Sequence, residues 1–182
     1  MMQKHTLIAL VEDKPGVLNR VASLFRRRAF NIESLTVGHT EKEGISRMTI
    51  VVDSNQTDSE RVVANLYKQI NVIQISDLSA MPMVSRDLAL IRVCTDSNRR
   101  SEIMQLVDVF RARIVDVAND SLIIEITGTE EKIDGLVEVL SQYGILEMVR
   151  TGIVAMARGT TMITDLGNNG NGFKPAVEST SL

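Results

Sequence analysis

The chain passes twice through the same order of hydrophobic periodicities, and this repetition limits its fold more than any other feature. In the first pass, Lys4 to Val11 is an apolar run of strand length, broken by Asp13-Lys14-Pro15-Gly16. Val17, Leu18, Val21, Leu24 and Phe25 then recur at helical spacing. Arg26, Arg27 and Arg28 close that helix, where positive charge suits the helix dipole. Phe30 to Val37 reads as a second strand and Thr40 to Gly44 as a polar turn. Arg47 to Asp53 places Met48, Ile50 and Val52 on one face, the mark of a half-buried strand. Asp58 is placed to cap a helix carrying Val62, Val63, Leu66 and Ile70, and Val72 to Leu78 is the last strand. The order is βαββαβ.

The same order returns after Met81-Pro82-Met83-Val84-Ser85. Leu88 to Cys94 is a strand, and Ser97 is placed to cap a helix with Ile103, Leu106, Val107 and Phe110. Ile114 to Val117 and the alternating Leu122, Ile124 and Ile126 are strands joined by an Asn119-Asp120 turn. Thr129 opens a helix with Ile133, Leu136, Val137 and Leu140, and Gly144 ends it. Ile145 to Ala157 reads as one long strand with a bulge at Gly152. The predicted class is α+β: two ferredoxin-like βαββαβ domains, each an antiparallel sheet with helices on one face. The expected boundaries are 1–80 for the first domain, 81–86 for a linker and 87–159 for the second domain. The stretch 160–182 is rich in Gly and Asn and is expected to be disordered. Each sheet leaves one face to be covered, and a second copy is the expected cover, which predicts a dimer.

Composition excludes several classes of function. Twenty Lys and Arg face 23 Asp and Glu, a net charge of -3, so no basic surface for nucleic acid is expected. Aromatics are 3% of the 182 residues and Trp is absent, so the cores must be aliphatic. The single cysteine, Cys94, cannot form an internal disulfide and fits a reducing, cytoplasmic setting. Its apolar neighbours make it read as a buried, inert thiol. No signal-peptide pattern and no membrane-spanning run is expected. His5 and His39 have no metal-ligand partners at useful spacing, and no nucleophile, phosphate-loop or dinucleotide motif is present. No catalytic residue and no metal ligand is predicted.

The feature the fold does not demand is Glu12-Asp13-Lys14-Pro15-Gly16-Val17-Leu18-Asn19. Pro15 sets φ at the helix entry, and Gly16 lets a ligand approach the backbone. The amides of Val17, Leu18 and Asn19 begin the helix without partners, an arrangement suited to a carboxylate. Val11, Val17 and Leu18 offer apolar surface for a side chain. The matching junction of the second half, Asp96-Ser97-Asn98-Arg99, has neither Pro nor Gly and reads as a plain helix cap. Ligand binding is therefore expected in the first half alone.

Residues Glu12 to Val21, Phe30-Asn31-Ile32-Glu33-Ser34-Leu35-Thr36-Val37 and Ser46-Arg47-Met48-Thr49-Ile50 closely resemble the ACT domain of the acetolactate synthase (acetohydroxyacid synthase) small-subunit family. Phe110 to Val117 and Arg150-Thr151-Gly152-Ile153 resemble that family's second domain. The resemblance implies a non-catalytic regulatory subunit that activates a catalytic subunit and confers feedback inhibition by a branched-chain amino acid, usually valine. It implies that thiamine diphosphate, Mg²⁺ and FAD belong to the catalytic subunit and that this chain holds no cofactor. It also implies an effector site at the interface of two ACT domains. One chain would supply Val11, Asp13, Gly16, Val17 and Leu18, and the other Asn31 and Ile32. The competing reading is a stand-alone amino-acid-responsive regulator of transcription or of another enzyme.

Overall fold

The computed structural model describes residues 4–53 and 59–163. They form two compact units, one of residues up to Val84 together with those from Ala155 onward, the other Ser85–Val154. Both carry the ferredoxin-like βαββαβ arrangement that the repeat predicts.

The first unit contains β1 (Lys4–Glu12), α1 (Val17–Arg27), β2 (Ile32–His39), β3 (Ile45–Asp53), α2 (Ser59–Leu66) and β4 (Val72–Asp77). The sheet order is β2-β3-β1-β4, with every pairing antiparallel. Strand alternation puts Leu7, Ala9 and Val11 on the helix side with Met48, Ile50 and Val52. There they form one core with Val17, Val21, Leu24 and Phe25 of α1 and Val62 and Leu66 of α2. Each such aliphatic side chain contributes about 1.5–3 kcal/mol when fully buried. Phe25 meets Phe30 edge-on, with ring centroids 6.0 Å apart. Helix α2 is shorter than its apolar spacing predicts. The chain turns after Leu66, whose carbonyl accepts from the Gln69 amide at 2.9 Å, and this leaves Ile70 95% exposed. Asp58, the expected cap, lies outside the described residues.

The side of this sheet away from the helices is also buried: Ile8 is 0% exposed, Val51 1% and Thr49 3%. A second copy was the expected cover. Instead the chain's own segment from Ala155 returns to this face. The Arg47 guanidinium donates to the Ala155 carbonyl at 2.5 Å, and the Gln74 side-chain amide donates to the Ile163 carbonyl. Arg47 and Gln74 flank Leu10 on a single rung of the sheet, so both hydrogen bonds spring from one line of side chains. Of the expected disordered stretch 160–182, residues 160–163 therefore belong to this strap, and the rest lies outside the described residues.

The second unit is built from β5 (Met83–Cys94), α3 (Arg100–Val109), β6 (Arg113–Val117), β7 (Ser121–Gly128), α4 (Glu130–Ser141) and β8 (Ile145–Arg150). Its strand order is β6-β7-β5-β8, and a short β9 (Val154–Ala157) also pairs β5. Because β9 offers it a partner, β5 begins at Met83, inside the stretch read as linker. The expected long last strand is interrupted at residues 151–153, where Gly152 takes φ 86°. Ala89, Ile91, Val93, Leu122, Ile124 and Ile126 pack on Ile103, Val107, Ile133, Leu136 and Leu140. Inward-facing residues of β5 alternate, so Cys94, next to Val93, points outward. The expectation of a buried thiol is thereby corrected: Cys94 is exposed.

Arg47→Met keeps the length of the side chain and removes its bond to Ala155. It is expected to cost about 1–2 kcal/mol, near the low end for a hydrogen bond from a charged group. Denaturant unfolding gives that loss, and hydrogen exchange should show faster exchange at residues 155–158.

Candidate functional site

Strand β1 leaves the sheet at Glu12, whose amide donates to the Asn71 carbonyl at 2.9 Å. The Asp13 amide donates to the Gly44 carbonyl at 2.8 Å, tying the loop to the β2–β3 hairpin. Pro15 then sets φ, and Gly16 adopts φ 85° and ψ −6°, a left-handed conformation that favours glycine. Helix α1 starts at the next residue with no side-chain cap. The Val17 amide donates to the Lys14 carbonyl at 3.3 Å, and the Arg20 amide to the Gly16 carbonyl at 3.0 Å. Three open amides were expected; the turn consumes that of Val17. Among the described residues no acceptor faces the amides of Leu18 and Asn19. A Cβ built on Gly16 meets nothing within 4 Å, so the space beside the turn is open.

Val11 and Val17 are 1% and 4% exposed and belong to the core, so they form a floor beneath the turn. Leu18 stands 46% exposed above it. The Asp13 carboxylate lies 3.3 Å from His39 Nδ1, and both side chains are largely solvated. His39 was not among the predicted site residues. It arrives because β2 pairs β3 so that His39, Ser46 and Val11 share one rung. Only that register could have revealed it. Glu12, Asn71 and Arg20 were missed for the same reason. The Asn71 side-chain amide donates to Glu12 Oε2 at 2.5 Å, and Arg20 donates to Asn71 Oδ1. The Asn71 hydrogen bond, followed by that of Lys14, holds the Glu12 carboxyl below its ordinary value.

Asn31 and Ile32 are not brought to this loop. Ile32 pairs with Val52, whereas Val11 pairs with Ser46. The run of β3 between these rungs separates the two groups by about 20 Å, at ~3.3 Å per residue. Asn31 is exposed and donates to Glu33 Oε1 at 2.6 Å. Within one chain, the two halves of the predicted site thus stand at opposite ends of the sheet.

The second unit enters its first helix through a different turn. Asp96 Oδ1 accepts from the Asn98 amide at 2.8 Å and the Arg99 amide at 2.9 Å. Asp96, rather than the expected Ser97, makes the side-chain bonds to the two residues just ahead of α3, which itself starts at Arg100 with no side-chain cap. Those two bonds, Arg99 first, lower the Asp96 pKa. Among the described residues no cluster of three or more His, Cys, Asp or Glu side chains could hold a metal. No described helix is long and apolar enough to cross a membrane.

A family model for an AHAS small subunit-like ACT domain matches residues 7–74, and one for the small subunit of acetolactate synthase matches residues 86–159. The probable acetolactate synthase small subunit of Archaeoglobus fulgidus is 54% identical over 156 residues, 86% of this chain and 98% of that protein. The chain belongs to the acetolactate synthase small-subunit family. The small subunit of Bacillus subtilis is 45% identical over 158 residues, 86% of this chain and 92% of its own. The crystal structure of the small subunit from Thermotoga maritima superposes with a TM-score of 0.82 at 41% identity, covering 88% of this chain and all of that one (100%). The Gly16 turn and the Asn31 end both lie inside the ACT domain of this small-subunit family member, and Asp96 lies inside its second domain.

The Asp96 carboxylate has a pH signature. Its lowered pKa means that its stabilisation is present above the ordinary carboxylate value and is lost as pH falls through the folded one. Asp96→Asn should therefore be less stable than the parent near pH 7, and the two should converge in acid. Thermal unfolding at stepped pH measures this.

Proposed function

We propose that this chain is the regulatory subunit of acetolactate synthase, acting in the cytoplasm as a homodimer through its ACT domains. It binds the catalytic subunit, raises its activity, and makes it sensitive to inhibition by a branched-chain amino acid, with valine as the effector. The thiamine diphosphate, Mg²⁺ and FAD of the reaction belong to the catalytic subunit. The match to acetolactate synthase small subunits along both domains supports the assignment to that enzyme.

The observation that carries the effector site is the left-handed Gly16 turn, with open space beside it, at the start of α1. In the second domain the Asp96 carboxylate holds the Asn98 and Arg99 amides just ahead of a helix that starts with no left-handed turn. In the ACT domain the amides of Leu18 and Asn19 stand open behind the left-handed Gly16, and a free amino acid brings the missing carboxylate. Asp13 is placed for the ammonium group, and Asn31 supplies a donor and an acceptor at the polar end. The separation of Asn31 and Ile32 from the Gly16 turn supports a site shared by two chains. Strand β2 is an edge strand with β3 as its partner. Antiparallel pairing of two β2 edges about a two-fold axis would bring Asn31 of one chain towards the His39 end of the other, beside Asp13 and Gly16.

The purified chain alone should form no acetolactate. Mixed with its catalytic subunit it should raise the rate, and valine should lower it again. Turnover by the chain alone, or a mixture indifferent to it, rejects the reading.

Mutant mixing tests the shared site. Gly16→Asp places a negative charge beside the open amides, and Asn31→Ala removes the polar partner. Each homodimer should lose valine binding in calorimetry. A mixed dimer joins the intact turn of one chain to the intact Asn31 of the other, so one of its two sites should bind again. Mass-verified mixed dimers without any recovered binding would place the site within a single chain.

A further inference from the structure

The Gly16 turn is held from behind by one buried side chain. Asn71, 7% exposed, sits in the turn before β4. Its carbonyl accepts from the Glu12 amide at 2.9 Å, its side-chain amide donates to Glu12 Oε2 at 2.5 Å, and its Oδ1 accepts from Arg20. Lys14 Nζ adds a 3.1 Å ion pair to the same Glu12 oxygen. Glu12 is the last residue of β1, and Arg20 lies in the first turn of α1. Asn71 therefore ties together the two ends of the segment that contains Gly16 and the open amides of Leu18 and Asn19.

The internal repeat separates what the fold needs from what this domain adds. In the second unit the Cys94 amide donates to the Gly144 carbonyl at 2.9 Å, the counterpart of Glu12 to Asn71. The Thr95 amide donates to the Asp120 carbonyl at 2.9 Å, the counterpart of Asp13 to Gly44. The backbone bonds are thus common to both units. The side-chain bonds are not, because the counterpart of Asn71 is a glycine. The unit with the extra side-chain brace is the one that enters its helix through the left-handed Gly16, and in the other unit Asp96 bonds the two residues just ahead of the helix.

We propose that Asn71, with Arg20 and Glu12, positions the Gly16 turn so that the Leu18 and Asn19 amides are aligned before the effector carboxylate arrives. This rests on the effector-site reading above. A turn already held in its bound geometry binds at lower ordering cost. A turn freed at either end must be ordered by the ligand, and affinity falls.

Calorimetric titration of the full-length chain with valine tests it, with thermal unfolding run on every variant. Asn71→Asp sets two carboxylates against each other and should weaken valine binding about tenfold or more. Adding Glu12→Gln restores one donor and one acceptor with their roles exchanged, while Arg20 keeps its acceptor. The double variant should return to within about threefold of the parent. Arg20→Met, on an exposed helix face, cuts only the helix side of the brace and should also weaken binding, and it decides the matter if Asn71→Asp does not fold. Folded Asn71→Asp and Arg20→Met chains that bind valine like the parent overturn the proposal. So does a folded double variant that binds no better than Asn71→Asp. A parent chain that takes up no branched-chain amino acid overturns the effector-site reading itself, and the brace with it.

Discussion

The aliphatic layer between each sheet and its two helices decides where every other part of the molecule can stand. With four Phe, two Tyr and no Trp in the chain, this layer is made almost wholly of Leu, Ile, Val and Ala. Small branched side chains fill it only when strand alternation and helix spacing meet in register. In the ACT domain that demand falls on Val11, near the end of β1, and Val17, the first residue of α1. Both are anchored in the core, so the turn between them has almost no room to wander. The open amides are a by-product of that economy: the chain must start a helix immediately, and Gly16 in the left-handed region makes so abrupt a start possible.

The two domains lead into their first helices through different turns. Four amides at the head of any helix lack intrahelical acceptors. In the second domain the Asp96 carboxylate meets the amides of the two residues just ahead of α3. The ACT domain leaves two open and braces the surrounding backbone through Asn71 instead. A repeat of this kind is an internal control, since both halves face one set of folding constraints and differ where function differs.

The return of the chain after Val154 shapes the ACT domain in a second way. Ile8, Val51 and Thr49 would leave an apolar stripe on the sheet's second face. Arg47 and Gln74 hold the returning strap there through main-chain carbonyls, bonds that need no particular side chain in the strap. Residues that follow the second domain in sequence thereby become part of the first in space.

Periodicity alone determined the order of elements, the helix-facing core of both domains, the asymmetry of the two helix starts and the Gly16 turn. These are local properties, set by residues within a turn or a strand of one another. It misjudged Ile70, Ser97, Cys94 and the break around Gly152, where a tertiary partner or a turn overrides the local pattern. What only the tertiary structure decided is which distant residues meet. The register of β2 on β3 brought His39 to Asp13 and sent Asn31 to the far end of the sheet. The turn before β4 brought Asn71 between Glu12 and Arg20, and the strap found Arg47. None of these pairings leaves a trace in spacing along the chain, because each is fixed by how strands align once the core has closed.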